Sequence, residues 1–238
     1  MASSSSPASS SSPASSSSPA SSPEEAALPC PNWIFSINSD IHVAKDRSWF
    51  GNDYLPFKSA YLDVISRSEE VVGIGAVNLP VKVSPTKSGP NSHGILRLEH
   101  VLHAPGALCN ILGAPLAEDF NVTMADSPLK AGLITEISTG RSVAYLKPNP
   151  GVYCEVRLSG PPTGPAVGPS VIDPAARYCI EARWPVSERE RYNGAVEYFS
   201  ANLEQLVGIA ITNPTALTPS ETAWVRCFVA REVAGLTS

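Results

Sequence analysis

The chain has 238 residues, 43% of them hydrophobic and only 16% charged, with mean hydropathy near zero and a formal net charge of −5. That is apolar material for one medium domain with appendages, and less charge than the usual ~25%. An acidic balance with no basic stripe argues against nucleic-acid wrapping, and no apolar run reaches the ~18 residues of a membrane span.

The 23 prolines predict many turns and short helices. Cys30, Cys109, Cys154, Cys179 and Cys227 are widely spaced with no CxxC pair, which argues against a zinc ribbon and for reduced thiols. The N-terminus lacks the basic and apolar regions of a signal peptide. The expected location is therefore intracellular, cytoplasmic or nuclear, and the sequon at Asn121-Val122-Thr123 carries no weight.

Residues 2–19 repeat Ala-Ser-Ser-Ser-Ser-Pro three times, and a shortened copy follows. Such a tract cannot bury enough apolar area to offset the entropy of ordering it. It predicts a disordered tail over 1–30, read either as a spacer or as a modified tail. From 31 to 159 short β-rich runs recur between turn residues. They predict strands at 33–37, 61–65, 71–83, 95–103, 120–124, 133–137, 143–146 and 152–158, and a short helix at 114–119. Many short strands separated by turn signals point to a sandwich or barrel. Two runs alternate: Val152, Cys154, Val156 and Leu158 face away from Tyr153, Glu155 and Arg157, and Leu96, Leu98 and Leu102 face away from Arg97 and Glu99.

A Pro/Gly-rich stretch, 160–176, reads as a linker, and 177–238 as a helical segment. Ser187-Glu188-Arg189-Glu190 has the form of a capping box, and Thr218-Pro219-Ser220-Glu221 is a second helix start, with Thr at the cap and Pro at the first helical position. Trp224, Val225 and Phe228 form an apolar stripe on the second helix. Helices this short are not stable alone in water, so the stripe must bury against the β-domain, another helix or a partner.

Three stretches together resemble one family. Trp33-Ile34-Phe35 is followed by a polar turn and His42. Val72-Gly73-Ile74-Gly75-Ala76-Val77-Asn78-Leu79 comes next. Leu98-Glu99-His100-Val101-Leu102-His103-Ala104-Pro105 then runs on to Cys109-Asn110-Ile111-Leu112-Gly113. In order and spacing these resemble the protease segment of copia-type retrotransposon polyproteins, a branch of the retropepsin-like aspartic proteases, over roughly residues 32–158. The resemblance implies a mainly-β fold, a retropepsin-like closed β-barrel with a short helix, joined here to a C-terminal helical segment. It implies a flap-like hairpin at Val72, Gly73, Ile74 and Gly75, and a bracing segment at Ile111, Leu112 and Gly113. No Cys/His zinc knuckle precedes Trp33, and no integrase zinc segment follows Leu158.

The family's catalytic turn reads Asp-Ser/Thr-Gly, and two chains bring two Asp carboxylates together to share a proton. Here those places hold Ser36, Ile37 and Asn38. A serine hydroxyl does not ionise near neutral pH, Ile37 lacks the hydroxyl, and Asn38 adds a side chain where the family has none. Asp40 is the one acid nearby, four residues late. The resemblance thus implies the fold and argues against the activity.

Other sites are weaker. His100, His103 and Cys109 are residue types that ligate metals, but residues three apart on a strand face opposite ways. Gly73-Ile74-Gly75 lacks the third Gly and following helix of a phosphate loop. Ser36, Asp40 and His42 lie within seven residues, unlike the dispersed members of a hydrolase triad. No metal or cofactor is expected. The expectation is a retrotransposon-derived, catalytically inactive, aspartic-protease-like protein with a binding or scaffolding role. The alternatives are a divergent aspartic peptidase using Asp40 and a transposon remnant without selected function. Partners remain open between a homodimer and a peptide or protein; neither nucleic acid nor membrane is expected.

Overall fold

The computed structural model describes residues 28–124, 127, 129–148 and 153–235. The expected tail therefore lies outside the described residues except for its last three, as does Val152. Of those last three, Pro29 and Cys30 are tied down. Pro29 accepts a hydrogen bond from the Gly168 amide at 2.9 Å, and Cys30 is buried with its amide bonded to Asp46. Apolar contact with Ile34 and Cys109 holds Cys30 in place.

The chain is mixed α/β with more strand than helix. Its elements are β1 (Trp33–Phe35), β2 (Val43–Ala44), β3 (Leu55–Leu62), β4 (Ser68–Lys82), β5 (His93–His103), β6 (Asn110–Leu112), α1 (Leu116–Asp119), β7 (Phe120–Thr123), β8 (Gly132–Glu136), β9 (Ser142–Leu146), β10 (Cys154–Glu155), α2 (Val186–Ala201), α3 (Leu203–Thr212) and α4 (Pro219–Gly235). Seven strands pair in the order β10-β1-β6-β2-β5-β4-β3, and β7-β8-β9 form a second sheet.

The sheets are not closed into a barrel, contrary to expectation; the larger one ends at β10 and β3. The outer edge of β3 is not bare. Arg183 bridges to Leu62, and α2 and α4 pack against the strand. A segment and two helices cover the edge, the alternative to closure for protecting unpaired backbone groups.

Two cores follow from the strand alternation. Trp33, Val77, Leu79, Leu96, Leu98, Leu112, Ile134 and Val156 join the two sheets. Cys154 and Leu158 pack against that cluster from the face the alternation assigned them. Leu55, Val71, Ile74 and Leu102 meet Trp184, Tyr192, Trp224 and Phe228 under the helices. Leu102 was expected beside Leu96 and Leu98 and is in the other cluster. His100 has a left-handed φ of 52°, and the β4–β5 register shifts opposite it, between Gly75 and Val77. This bulge turns His100 outward and puts Val101 with Leu96 and Leu98.

The strand expected at 61–65 ends early for a local reason. The Asp63 carboxylate accepts the Ile65 and Arg67 amides at 3.0 and 2.8 Å, and Ser66 takes φ 60°. The chain turns there, and Val64 and Ile65 sit exposed at the tip of the β3–β4 hairpin.

The helical segment also starts later than 177. Val186 opens α2 after Pro185, with no side-chain cap. The Ser187 capping box does not form, because the helix begins one residue before it. Glu188 instead accepts the Ser59 hydroxyl at 2.7 Å. At the second helix start a capping box forms instead: Thr218 Oγ1 accepts the Glu221 amide at 3.2 Å, and Glu221 accepts the Thr218 amide at 2.8 Å. Thr218→Ala should cost about 1 kcal/mol in a denaturant titration. An unchanged midpoint would mean the start of α4 frays before the protein unfolds.

Candidate functional site

The polar turn after β1 is built by its neighbours. β1 runs parallel to β6, with Ile34 opposite Ile111 and Phe35 opposite Leu112. The Ser36 amide continues that pairing to the Leu112 carbonyl at 2.9 Å, and the Ser39 amide turns back to the Ser36 carbonyl at 3.1 Å. Ile37 and Asn38 therefore form the exposed tip. Gly113 lies directly against the turn. A Cβ there would collide with the Ile41 and Ser39 carbonyls, so only glycine admits this approach. The Gly113 amide donates to His42 Nδ1 at 3.0 Å, and the Ala114 amide to the Ser39 carbonyl at 2.7 Å. Ile111, Leu112 and Gly113 thus lie beside the turn at 36–40.

His42 is buried, and an imidazole that accepts an amide proton must be neutral at that nitrogen. Burial, helped by the nearby His100, lowers its pKa to about 4.

Val72, Gly73, Ile74 and Gly75 are not a flap. They form the middle of β4, with Gly73 opposite Pro56 on one side and His103 on the other, and Ile74 fully buried. Their glycines serve packing. A Cβ on Gly73 would enter the Tyr54 ring, and one on Gly75 would crowd Tyr54 and Phe50. Tyr54 in turn bonds His103 at 2.9 Å and carries the Arg47 guanidinium over its ring. The exposed tip of this β3–β4 hairpin lies at 63–67.

A segment absent from the sequence reading completes the site. Residues 178–184 run extended between the polar turn and the end of β3. On one side Ser36 Oγ donates to the Ile180 carbonyl at 2.9 Å, the Ala182 amide donates to Ser39 Oγ at 2.9 Å, the Asp40 amide to the Ala182 carbonyl at 3.0 Å, and the Trp184 amide to Asp40 Oδ1 at 2.8 Å. On the other side Leu62 and Arg183 exchange both amide–carbonyl bonds, at 2.8 and 2.9 Å. Ala182 and Trp184 are buried, while Arg183 is exposed and pairs with Glu181, whose own side chain is largely covered. Ile-Glu-Ala-Arg-Trp alternates like a strand. That five-residue signal was legible in the sequence, but it lies between a proline-rich stretch and a helix.

Asp40 faces this segment. Its Oδ2 is 2.7 Å from Arg189 Nη2, and Arg189 also donates to the Asp40 and Trp184 carbonyls. Both carboxylate oxygens are thus engaged. An open groove of about 470 Å³ adjoins the Trp184 end, lined by Asp40, Arg97, Glu99, His100, Arg189 and Tyr192 among others. A second, of about 660 Å³, adjoins the Tyr178 end, lined by Lys45, Tyr61, Leu108 and Cys109. Burial drives the Cys109 thiol up to about 12, which makes it a poor nucleophile. His100 and His103 are separated by the bulge and share no site with Cys109; among the described residues no three His, Cys, Asp or Glu group to hold a metal. All five cysteines are free thiols. No described helix is long and apolar enough to cross a membrane.

No protein-family model, curated protein or solved structure matches the chain.

Proposed function

We propose that the chain is a catalytically inactive, aspartic-protease-like β-protein of retrotransposon origin, and that its cleft binds a peptide or protein segment without cutting it. The observation that carries this reading is Ser36. It stands where the copia-type proteases place their catalytic Asp, and its hydroxyl is committed to the Ile180 carbonyl. A dyad needs two carboxylates close enough to share a proton, and a serine supplies none. A retropepsin-like strand arrangement, not closed into a barrel, is the finer architecture this reading implies, supported by the Gly113-braced turn at the end of a buried strand. The divergent-peptidase reading is disfavoured because Asp40 is held in an ion pair with Arg189 and bonded to the Trp184 amide, leaving it poorly placed to activate water.

The purified protein should therefore cleave no member of a mixed peptide library between about pH 3 and 7. Ser36→Asp alone should also fail, since Ile37 and Asn38 still depart from the turn the family builds with Ser/Thr and Gly. Ser36→Asp with Ile37→Ser and Asn38→Gly could revive cleavage only in a dimer, so the mass in solution is measured alongside. Pepstatin-sensitive cleavage by the wild type would overturn the proposal.

A further inference from the structure

The stretch 178–184 has the geometry of a bound ligand rather than of a strand of the sheet. It meets two separate elements, each through backbone atoms. Its alternate carbonyls and amides meet the turn at Ser36, Ser39 and Asp40, and its remaining pair meets Leu62 at the end of β3. Adding a strand to an open edge is a general mode of peptide recognition: main-chain bonds supply affinity, and pockets under alternate side chains supply selectivity. Here the pockets are explicit. Ala182 is fully enclosed, so its place admits only a small side chain. Trp184 is buried among Tyr192 and the apolar cluster under the helices, and its indole donates to Ser59 Oγ at 3.0 Å. Ile180 packs against the same cluster. Open grooves continue at both ends, so the trough is longer than its occupant.

We infer that residues 178–184 are a tethered occupant of a strand-accepting trough, and that the trough takes in trans an extended segment of a partner polypeptide with the pattern apolar-x-small-x-aromatic, as in Ile180-x-Ala182-x-Trp184. This deepens the binding reading above and rests on it. The latch is the exposed end of the segment, where Arg189 pairs with Asp40. Side chains of both partners are substantially exposed, and an ion pair in that setting contributes little to stability. Release exposes Ala182 and Trp184 and so costs their burial, but it leaves the buried pairing of β4 with β5 intact. A tether that fills the trough lowers apparent affinity for any trans ligand by the fraction of molecules in which the trough is open.

The test uses the full chain and a fluorescein-labelled synthetic peptide with the sequence of residues 177–187. Ala182→Arg places a long charged side chain where none fits and should eject the tether. The labelled peptide is expected to bind this variant at least about tenfold more tightly than the wild type, by the open-fraction argument, while a peptide carrying the same Ala-to-Arg change binds neither. Equal binding to both chains, or none to the variant, overturns the inference. Should the variant fail to unfold cooperatively, hydrogen exchange on the wild type decides. The Ala182, Arg183 and Trp184 amides should exchange at least about a hundredfold faster than those of Leu102 and Gly113, as expected of a segment that opens locally. Exchange at the same rate as those core amides would show that the tether leaves only on global unfolding, and the inference fails. Cleavage by the wild type would sink the non-catalytic reading and leave peptide binding standing. Absent peptide binding does the reverse.

Discussion

Trp224→Ala should cost about 3–5 kcal/mol, the usual loss for a large aromatic removed from a packed site. Trp224 is 2% exposed. Its ring stacks on Phe199 at 4.6 Å and lies 6.0 Å from Phe228 and 6.2 Å from Tyr192. The apolar stripe on α4 is thus buried against α2 and the β3 side of the sheet, in the cluster that also holds Leu55, Val71 and Ile74. Deleting the indole leaves a cavity facing three other rings that cannot collapse onto it together. The measurement is guanidinium unfolding followed by fluorescence and by circular dichroism. Both probes should move together. A loss under about 1 kcal/mol, within the range of ordinary surface substitutions and mild perturbations, would show that the helices unfold apart from the sheet.

Acidification from pH 7 to 4 should remove about 3 kcal/mol through His42 alone. The unfolded imidazole has a pKa of about 6.5, and in the fold burial and then His100 lower it to about 4. Below pH 6.5 the unfolded chain takes up this proton while the folded chain refuses it. The contribution is therefore complete above pH 6.5, declines as the pH falls, and is gone below the folded value. His103, lowered by burial and by Arg47, acts in the same direction. His42→Gln offers the Gly113 amide an acceptor that does not titrate. This variant should be comparably stable at pH 7 and clearly flatter between pH 6.5 and 4. An identical slope in both proteins would assign the acid sensitivity elsewhere.

Much of the fold could be read from period-two patterns. The alternation at Leu96 and Leu98 separates core from the exposed Arg97 and Glu99, and Cys154, Val156 and Leu158 do share one cluster, although Tyr153 and Glu155 opposite them are also largely covered. The reading failed where a local backbone feature overrode the pattern. The bulge at His100 moved Leu102 to a different core. The Asp63 turn ended β3 before the apolar Val64 and Ile65. Gly73 and Gly75, expected in a flap-like hairpin, instead make room for Tyr54 and Phe50. Ser36, His42 and Gly113 were identifiable because they are close in sequence to a patterned strand. Arg189 and the segment at 178–184 were not, because their role arises only on meeting residues near position 40. Five alternating residues do not by themselves say what they will pair with.

That separation also governs when the protein can form. Ser36 and Ile180 are bonded across 144 residues, as are Asp40 and Trp184. At roughly 5–20 residues per second of synthesis, the turn and the edge of β3 wait on the order of ten seconds for their covering. Throughout that interval the nascent chain offers a ready-made strand edge to any neighbour able to pair with it. A polysome, where copies of the same message emerge side by side, is the setting in which that neighbour would be another incomplete copy.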